Sequence, residues 1–124
     1  KEKFKYDESK IRGKKIIVID DTIVRGNVMK YICKSLREYG AKEIHIRIPS
    51  PPIIDICQLG IAINTKEELI MNNRSVSDVS EILGVNSLQY LDLKDLSFFP
   101  EKSYSECFGG GIPEEITRTC IIGK

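Results

Sequence analysis

No apolar stretch in this chain approaches the length of a membrane-crossing helix, and no signal-peptide pattern opens it. Neither membrane insertion nor secretion is expected. A surplus of one charge is also missing: 19 Lys and Arg stand against 18 Asp and Glu, a formal net charge of +1. So even a balance gives no bulk electrostatic reason to expect nucleic acid or a lipid surface as partner. Histidine is nearly absent. His45 stands alone, on the polar side of an alternating stretch, and is read as a surface residue. The four cysteines, Cys33, Cys57, Cys107 and Cys120, include no C-x-x-C pair. With no sign of secretion, free thiols in the cytoplasm are expected. No internal repeat or low-complexity segment occurs.

What is present fits one domain, or part of one, in 124 residues that are 41% hydrophobic and 30% charged. The organised part runs from about residue 13 to 96, and 97–124 reads as an irregular C-terminal segment. Residues 1–14 are charged and read as an extended lead-in or edge strand around Phe4 and Tyr6. Residues 15–20 read as a strand buried on both faces, because the run is apolar and β-branched. A helix follows over 27–39, with Val28, Met29, Ile32, Cys33 and Leu36 on one face and Gly40 just past its end. Residues 43–48 alternate, placing Ile44, Ile46 and Ile48 opposite Glu43, His45 and Arg47, as in a strand with one wet face. Strand, helix and strand make a βαβ unit, so an α/β fold with a parallel sheet is expected. Further on, Thr65 and Glu68 fit a capping box for a short helix to about Met71. Ser75 begins another helix, with Val76, Val79, Ile82 and Leu83 on one face and Gly84 closing it. Residues 88–91 read as a strand, 92–96 as a helical turn and 100–105 as the loosest segment.

The densest signal is Ile16-Ile17-Val18-Ile19-Asp20-Asp21-Thr22-Ile23-Val24-Arg25-Gly26-Asn27. A buried strand runs into two adjacent carboxylates, then a short polar loop, then a helix start. Carboxylates accept hydroxyl hydrogens and are hard ligands for Mg²⁺. They are costly at a strand end unless a cation or hydroxyl meets them. Backbone amides at a helix N-terminus hold phosphate, and Gly26 permits close approach or positive φ. Together these groups suit a phosphorylated sugar. A solvated turn with an Asp cap is the plainer reading for an isolated Asp-Asp.

This loop resembles the phosphoribosyl pyrophosphate (PRPP) motif of type I phosphoribosyltransferases, and its form Asp-Asp-Thr-Ile-Val-Arg-Gly is similar to that of the amidophosphoribosyltransferase family. Arg37 to Ile48, Ser50-Pro51-Pro52-Ile53, Gly60-Ile61, Glu67-Glu68-Leu69-Ile70, Gly84 to Leu91, and Cys107-Phe108 with Gly109-Gly110-Gly111-Ile112-Pro113 follow in the family's order. The resemblance covers about Gly13 to Ile116. It implies a parallel-sheet, type I phosphoribosyltransferase-like fold, incomplete in this fragment.

The resemblance also implies a chemistry. Asp20 and Asp21 would meet the ribose hydroxyls and help hold Mg²⁺, and Thr22, Ile23, Val24, Arg25, Gly26 and Asn27 would cradle the 5-phosphate, Arg25 more through its backbone than its side chain. Asn27 and Val28 depart from the small hydroxylated residues common there. The family reaction converts PRPP, glutamine and water to 5-phosphoribosylamine, pyrophosphate and glutamate, the first step of de novo purine biosynthesis. No catalytic residue is expected on this fragment, because ammonia is already a nucleophile. Some members carry a 4Fe–4S cluster on four cysteines. Cys57 and Cys107 match two ligand positions, but Tyr104 stands at a third and the fourth lies upstream, so no cluster is expected. Ser50-Pro51-Pro52 is expected near the site rim.

The chain opens without Met, and with the resemblance this predicts a fragment lacking the N-terminal glutaminase domain and inactive alone. Its partners would be PRPP and inhibitory purine nucleotides, in a cytoplasmic homodimer or homotetramer. The alternatives are a non-catalytic PRPP-sensing regulator of the same fold and a degenerate member retained for assembly.

Overall fold

The protein was analysed as a computed structural model, which describes residues 6–57, 62–98 and 105–110, with 97–98 described by backbone only. Three parallel strands, β1 (Lys15–Ile19), β2 (Glu43–Ile48) and β3 (Ser87–Tyr90), pair in the order β1-β2-β3. Ile16 lies beside Ile44 and Val18 beside Ile46, while Ile46 faces Leu88 and Ile48 faces Tyr90. Helix α2 (Asn27–Glu38) connects β1 to β2, and α3 (Val76–Leu83) precedes β3. The expected βαβ unit and parallel sheet are present.

The alternation in β2 does what it implies. Ile44, Ile46 and Ile48 are buried and form the centre of the main core with Met29, Cys33 and Leu36 of α2 and Val79 and Leu83 of α3. Both helices therefore lie on one face of the sheet. On the opposite face His45 bonds Ser87 through Nδ1 (2.9 Å) and Glu43 through Nε2 (3.1 Å), and Arg47 also donates to Ser87. The expectation that β1 is buried on both faces is not met. Ile17 and Ile19 are 65% and 74% exposed, because among the described residues no layer covers their side of the sheet. β1 also lies at the edge of the described sheet.

The lead-in contains a short helix, α1 (Glu8–Ile11), rather than an extended segment, because the Asp7 side chain accepts the Ser9 amide and caps it. Phe4 lies outside the described residues. Helix α3 starts on a full capping box between Ser75 and Asp78 and ends on Gly84 at φ 65°. Ile82 and Val28, assigned to apolar helix faces, are substantially exposed at 42% and 49%. They sit at the margin of the stripes that the sheet covers.

The helix expected after Thr65 is only a 3₁₀ turn, Lys66–Glu68, and Thr65 makes no side-chain cap. The Glu68 carboxylate accepts instead from Arg25 and from the Asn64 amide, so the capping-box partner is occupied elsewhere. Another 3₁₀ turn spans Leu93–Phe98, longer than the turn expected there. Of 100–105, only Ser105 is described; it leads into a 3₁₀ turn, Glu106–Phe108. Cys107 then packs with Ile53, Ile63 and Leu69 in a second apolar cluster.

Candidate functional site

The loop between β1 and α2 leaves the carboxyl end of the sheet, where open α/β folds bind ligands. Asp20 is half-buried and Asp21 exposed. Asp20 Oδ1 accepts the Asp21 amide at 3.1 Å, and Asp21 Oδ1 accepts the Thr22 amide at 2.9 Å. These local bonds hold both carboxylates at the strand end. Neither forms an ion pair among the described residues, so the cation expected beside them is not supplied there.

Ile23 and Val24 turn inward. Ile23 is buried in the main core and Val24 packs against the second cluster, so their side chains anchor the loop and leave its backbone to do any binding. Gly26 is the N-cap of α2 in the left-handed region at φ 76°, with no side-chain cap. The first helical amides therefore have no intrahelical acceptor. The first turn of α2 carries no acidic residue, which leaves the positive end of the helix dipole uncompensated. Residues Thr22 to Met29 line a cavity of about 320 Å³. Thr22 Oγ1 is buried and has no hydrogen-bond partner among the described residues. Such an orphan hydroxyl is costly unless something bonds it. An anion seated on this loop would meet amides, a dipole and a hydroxyl, but no competing carboxylate from α2.

Two other segments brace the loop. Ser50 Oγ donates to the Asp21 carbonyl at 3.0 Å, which puts Ser50-Pro51-Pro52 beside the carboxylates as expected. From the other side, Ile70 N donates to the Val24 carbonyl at 2.9 Å, and Arg25 pairs with Glu68. Sequence reasoning missed Glu68 and Ile70 as neighbours of this loop. Their only signal was Glu67-Glu68-Leu69-Ile70 as a family segment, which carries no distance information.

The fit to Mg²⁺ is reasonable. Mg²⁺ usually takes one or two carboxylates and completes its shell with water and substrate oxygens. Asp20 and Asp21 offer that, and no cluster of three or more metal-binding side chains occurs among the described residues. Among the described residues the fit to a 4Fe–4S cluster is partial. Cys57 and Cys107 do come together, sharing the second apolar cluster, and the Cys107 thiol hydrogen-bonds with Cys57. Two thiols are half of what such a cluster takes. Burial first, then the neighbouring Cys57, pushes the Cys107 thiol up to about 11. Cys33 is buried in the main core, as expected, and its thiol is likewise raised to about 11, chiefly by burial. Tyr104, Cys120, Gly60-Ile61 and Gly111-Ile112-Pro113 lie outside the described residues.

No protein-family model matches the chain. An amidophosphoribosyltransferase of Synechococcus elongatus is 42% identical over an alignment of 120 residues that covers 90% of this chain and 24% of that protein. One from Rattus norvegicus is 50% identical over 94 residues, 76% of this chain and 18% of the relative. The solved glutamine PRPP amidotransferase of B. subtilis, complexed with ADP and GMP, superposes with a TM-score of 0.72 at 35% identity, covering 86% of this chain and 25% of that one. The fold is thus that of a phosphoribosyltransferase, present here in part. The chain spans about a fifth to a quarter of the length of these relatives. Within that span its similarity is to amidophosphoribosyltransferases.

Proposed function

We propose that this chain is the C-terminal part of the phosphoribosyltransferase domain of an enzyme that makes 5-phosphoribosylamine, pyrophosphate and glutamate from PRPP, glutamine and water. The observation that carries the reading is the loop itself. Paired carboxylates at the end of β1 run through a left-handed glycine into an uncapped helix start around a cavity. Identity of 42% to 50% with amidophosphoribosyltransferases over 76% to 90% of this chain supports it.

In this reading Asp20 and Asp21 accept hydrogen bonds from the ribose hydroxyls and hold Mg²⁺. The backbone amides from Thr22 to Asn27, with the Thr22 hydroxyl, bind the 5-phosphate. Fixing both ends of the sugar orients C1 toward an incoming ammonia molecule. Bound Mg²⁺ would supply charge stabilisation for the departing pyrophosphate. The loop needs no proton transfer of its own. Ammonia arrives from a glutaminase domain that we assign upstream of Lys1, as we do the pyrophosphate-binding loop. Purine nucleotides, which carry the same ribose 5-phosphate unit, would compete at this loop. The B. subtilis neighbour, complexed with ADP and GMP, supports that. We further assign the parent to the cytoplasm, as a homodimer or homotetramer. Cys33, Cys57 and Cys107 are thiols rather than disulfides, in keeping with a reducing compartment.

The test is pyrophosphate release from PRPP by the full-length parent with Mg²⁺, given glutamine or ammonia. Release with both is expected, and Asp20→Asn and Asp21→Asn should each lower kcat/KM for PRPP about tenfold or more. No release from the folded parent, with unaltered behaviour of both variants, overturns the reading. The isolated chain is expected to bind ribose phosphates weakly and to show no turnover.

A further inference from the structure

The phosphate loop is held from behind at two successive residues by a segment distant in sequence. Arg25 Nε donates to a Glu68 carboxylate oxygen at 2.7 Å, and its Nη2 donates to the same carboxylate and to the Ala62 carbonyl, the latter at 2.8 Å. The other carboxylate oxygen of Glu68 accepts the Asn64 amide at 3.2 Å, which fixes the acceptor in turn. One residue earlier, the Val24 carbonyl is held by the Ile70 amide. One residue later, Gly26 lies against the Ile70 side chain and takes the left-handed conformation that starts α2. Val24, Arg25 and Gly26 carry the peptide planes whose N–H groups define the phosphate cradle. The guanidinium of Arg25 already has a carboxylate and a carbonyl as partners.

We propose that Glu68 is a positioning residue for the 5-phosphate, acting through Arg25 to set the direction of the loop amides, and that Arg25 is a latch rather than a direct phosphate ligand. This rests on the reading of the loop as a PRPP site. The physical argument is one of leverage. The pair is partly exposed, at 43% and 26% for the two side chains, and exposed pairs contribute little to global stability. Amide direction, by contrast, is a matter of a few degrees of rotation at Arg25. A phosphate gripped by several N–H groups at once is sensitive to that rotation.

The two roles for Arg25 predict opposite signs. If Arg25 bound phosphate directly, Glu68→Gln would free it and tighten ribose 5-phosphate. If Glu68 positions the loop, the same change weakens it. In the full-length parent, with ammonia as nucleophile, Glu68→Gln is expected to raise KM for PRPP and the inhibition constant of ribose 5-phosphate about tenfold. In the same assay kcat should fall less than about threefold, and the unfolding midpoint should stay close to that of the parent. Glu68→Asp, which keeps the charge but shortens the reach, should fall between the two. Unchanged or tighter ribose 5-phosphate binding in Glu68→Gln overturns the proposal, and a lowered unfolding midpoint without a binding defect overturns it as well. Asp21→Asn separates this from the underlying reading. If Asp21→Asn loses PRPP while Glu68→Gln keeps it, only the latch is wrong. If the unmodified parent does not bind PRPP, the site reading fails and the latch with it.

Discussion

Ile70 occupies the space that a side chain at residue 26 would need. A Cβ placed on Gly26 would run into Ile70 Cδ1, and the residue sits at φ +76°. Both facts make Gly26→Ala costly. The left-handed conformation alone disfavours an L-residue by about 1–2 kcal/mol. Ile70 is buried, so moving it disturbs the core as well. Gly26→Ala is expected to lower the unfolding midpoint of the parent and to abolish ribose 5-phosphate binding, checked by thermal melts alongside calorimetric titration.

Asn86 closes three elements with one side-chain oxygen. Its Oδ1 accepts from the Ile44 amide at 2.9 Å and from Arg37 Nη2 at 2.8 Å, while its own amide donates to the Ile44 carbonyl at 2.8 Å. Arg37 also donates to Lys42 and Gly84 carbonyls, joining the end of α2 to the start of β2 and the end of α3. Asn86→Ala would leave the Ile44 amide and part of Arg37 without an acceptor. A loss of about 1–3 kcal/mol in urea unfolding is expected, with little effect on PRPP kinetics.

The thiols should differ in reactivity. The nucleophile is the thiolate, so the raised values of about 11 at Cys33 and Cys107 make both inert near neutral pH. Cys57 is only half-buried. A short iodoacetamide pulse on the folded parent, followed by peptide mass spectrometry, should find Cys57 alkylated ahead of Cys107 and Cys33. Equal labelling of the three would mean that the clusters around them open readily.

Acid should release the Arg25–Glu68 pair beside the β1–α2 loop. Hydrogen bonding from Arg25, aided by the Asn64 amide, holds the Glu68 carboxyl below its ordinary value, against the opposing effect of burial. A carboxylate lowered in the folded state stabilises that state fully above the ordinary glutamate range. The contribution is lost as pH falls through the lowered folded value. The difference in unfolding midpoint between the parent and Glu68→Gln, small as it is, should therefore be constant across neutral pH and vanish in acid. A difference that grows toward acid would contradict the pairing.

Local periodicity carried much of the fold. The alternation from Glu43 to Ile48 identified β2 and its buried face, and Ser75 with Gly84 bracketed α3, because each signal acts within a few residues. Thr65 and Glu68 misled for the opposite reason. Their spacing satisfies a helix start, but a partner 43 positions away in sequence takes the carboxylate. β1 misled because an apolar, β-branched run records what a strand can tolerate on both faces, while actual cover depends on other segments. The loop from Asp20 to Asn27 could be singled out by its residue types. Its division of labour could not: Ile23 and Val24 as anchors and Arg25 as a tie to Glu68 depend on contacts that no spacing within the loop encodes.

The side of β1 left without cover among the described residues has a practical consequence. Along Lys15–Ile19 the described sheet ends in a row of backbone donors and acceptors, flanked by the exposed Ile17 and Ile19. An apolar strand with one free edge is a template for adding another strand. Expressed by itself, the chain should self-associate as its concentration rises, with sedimentation coefficients climbing accordingly. An Ile19→Lys substitution should suppress that climb while leaving the Ile44, Ile46 and Ile48 core undisturbed. Handling this segment in isolation is therefore a problem in colloid chemistry before it is one in enzymology.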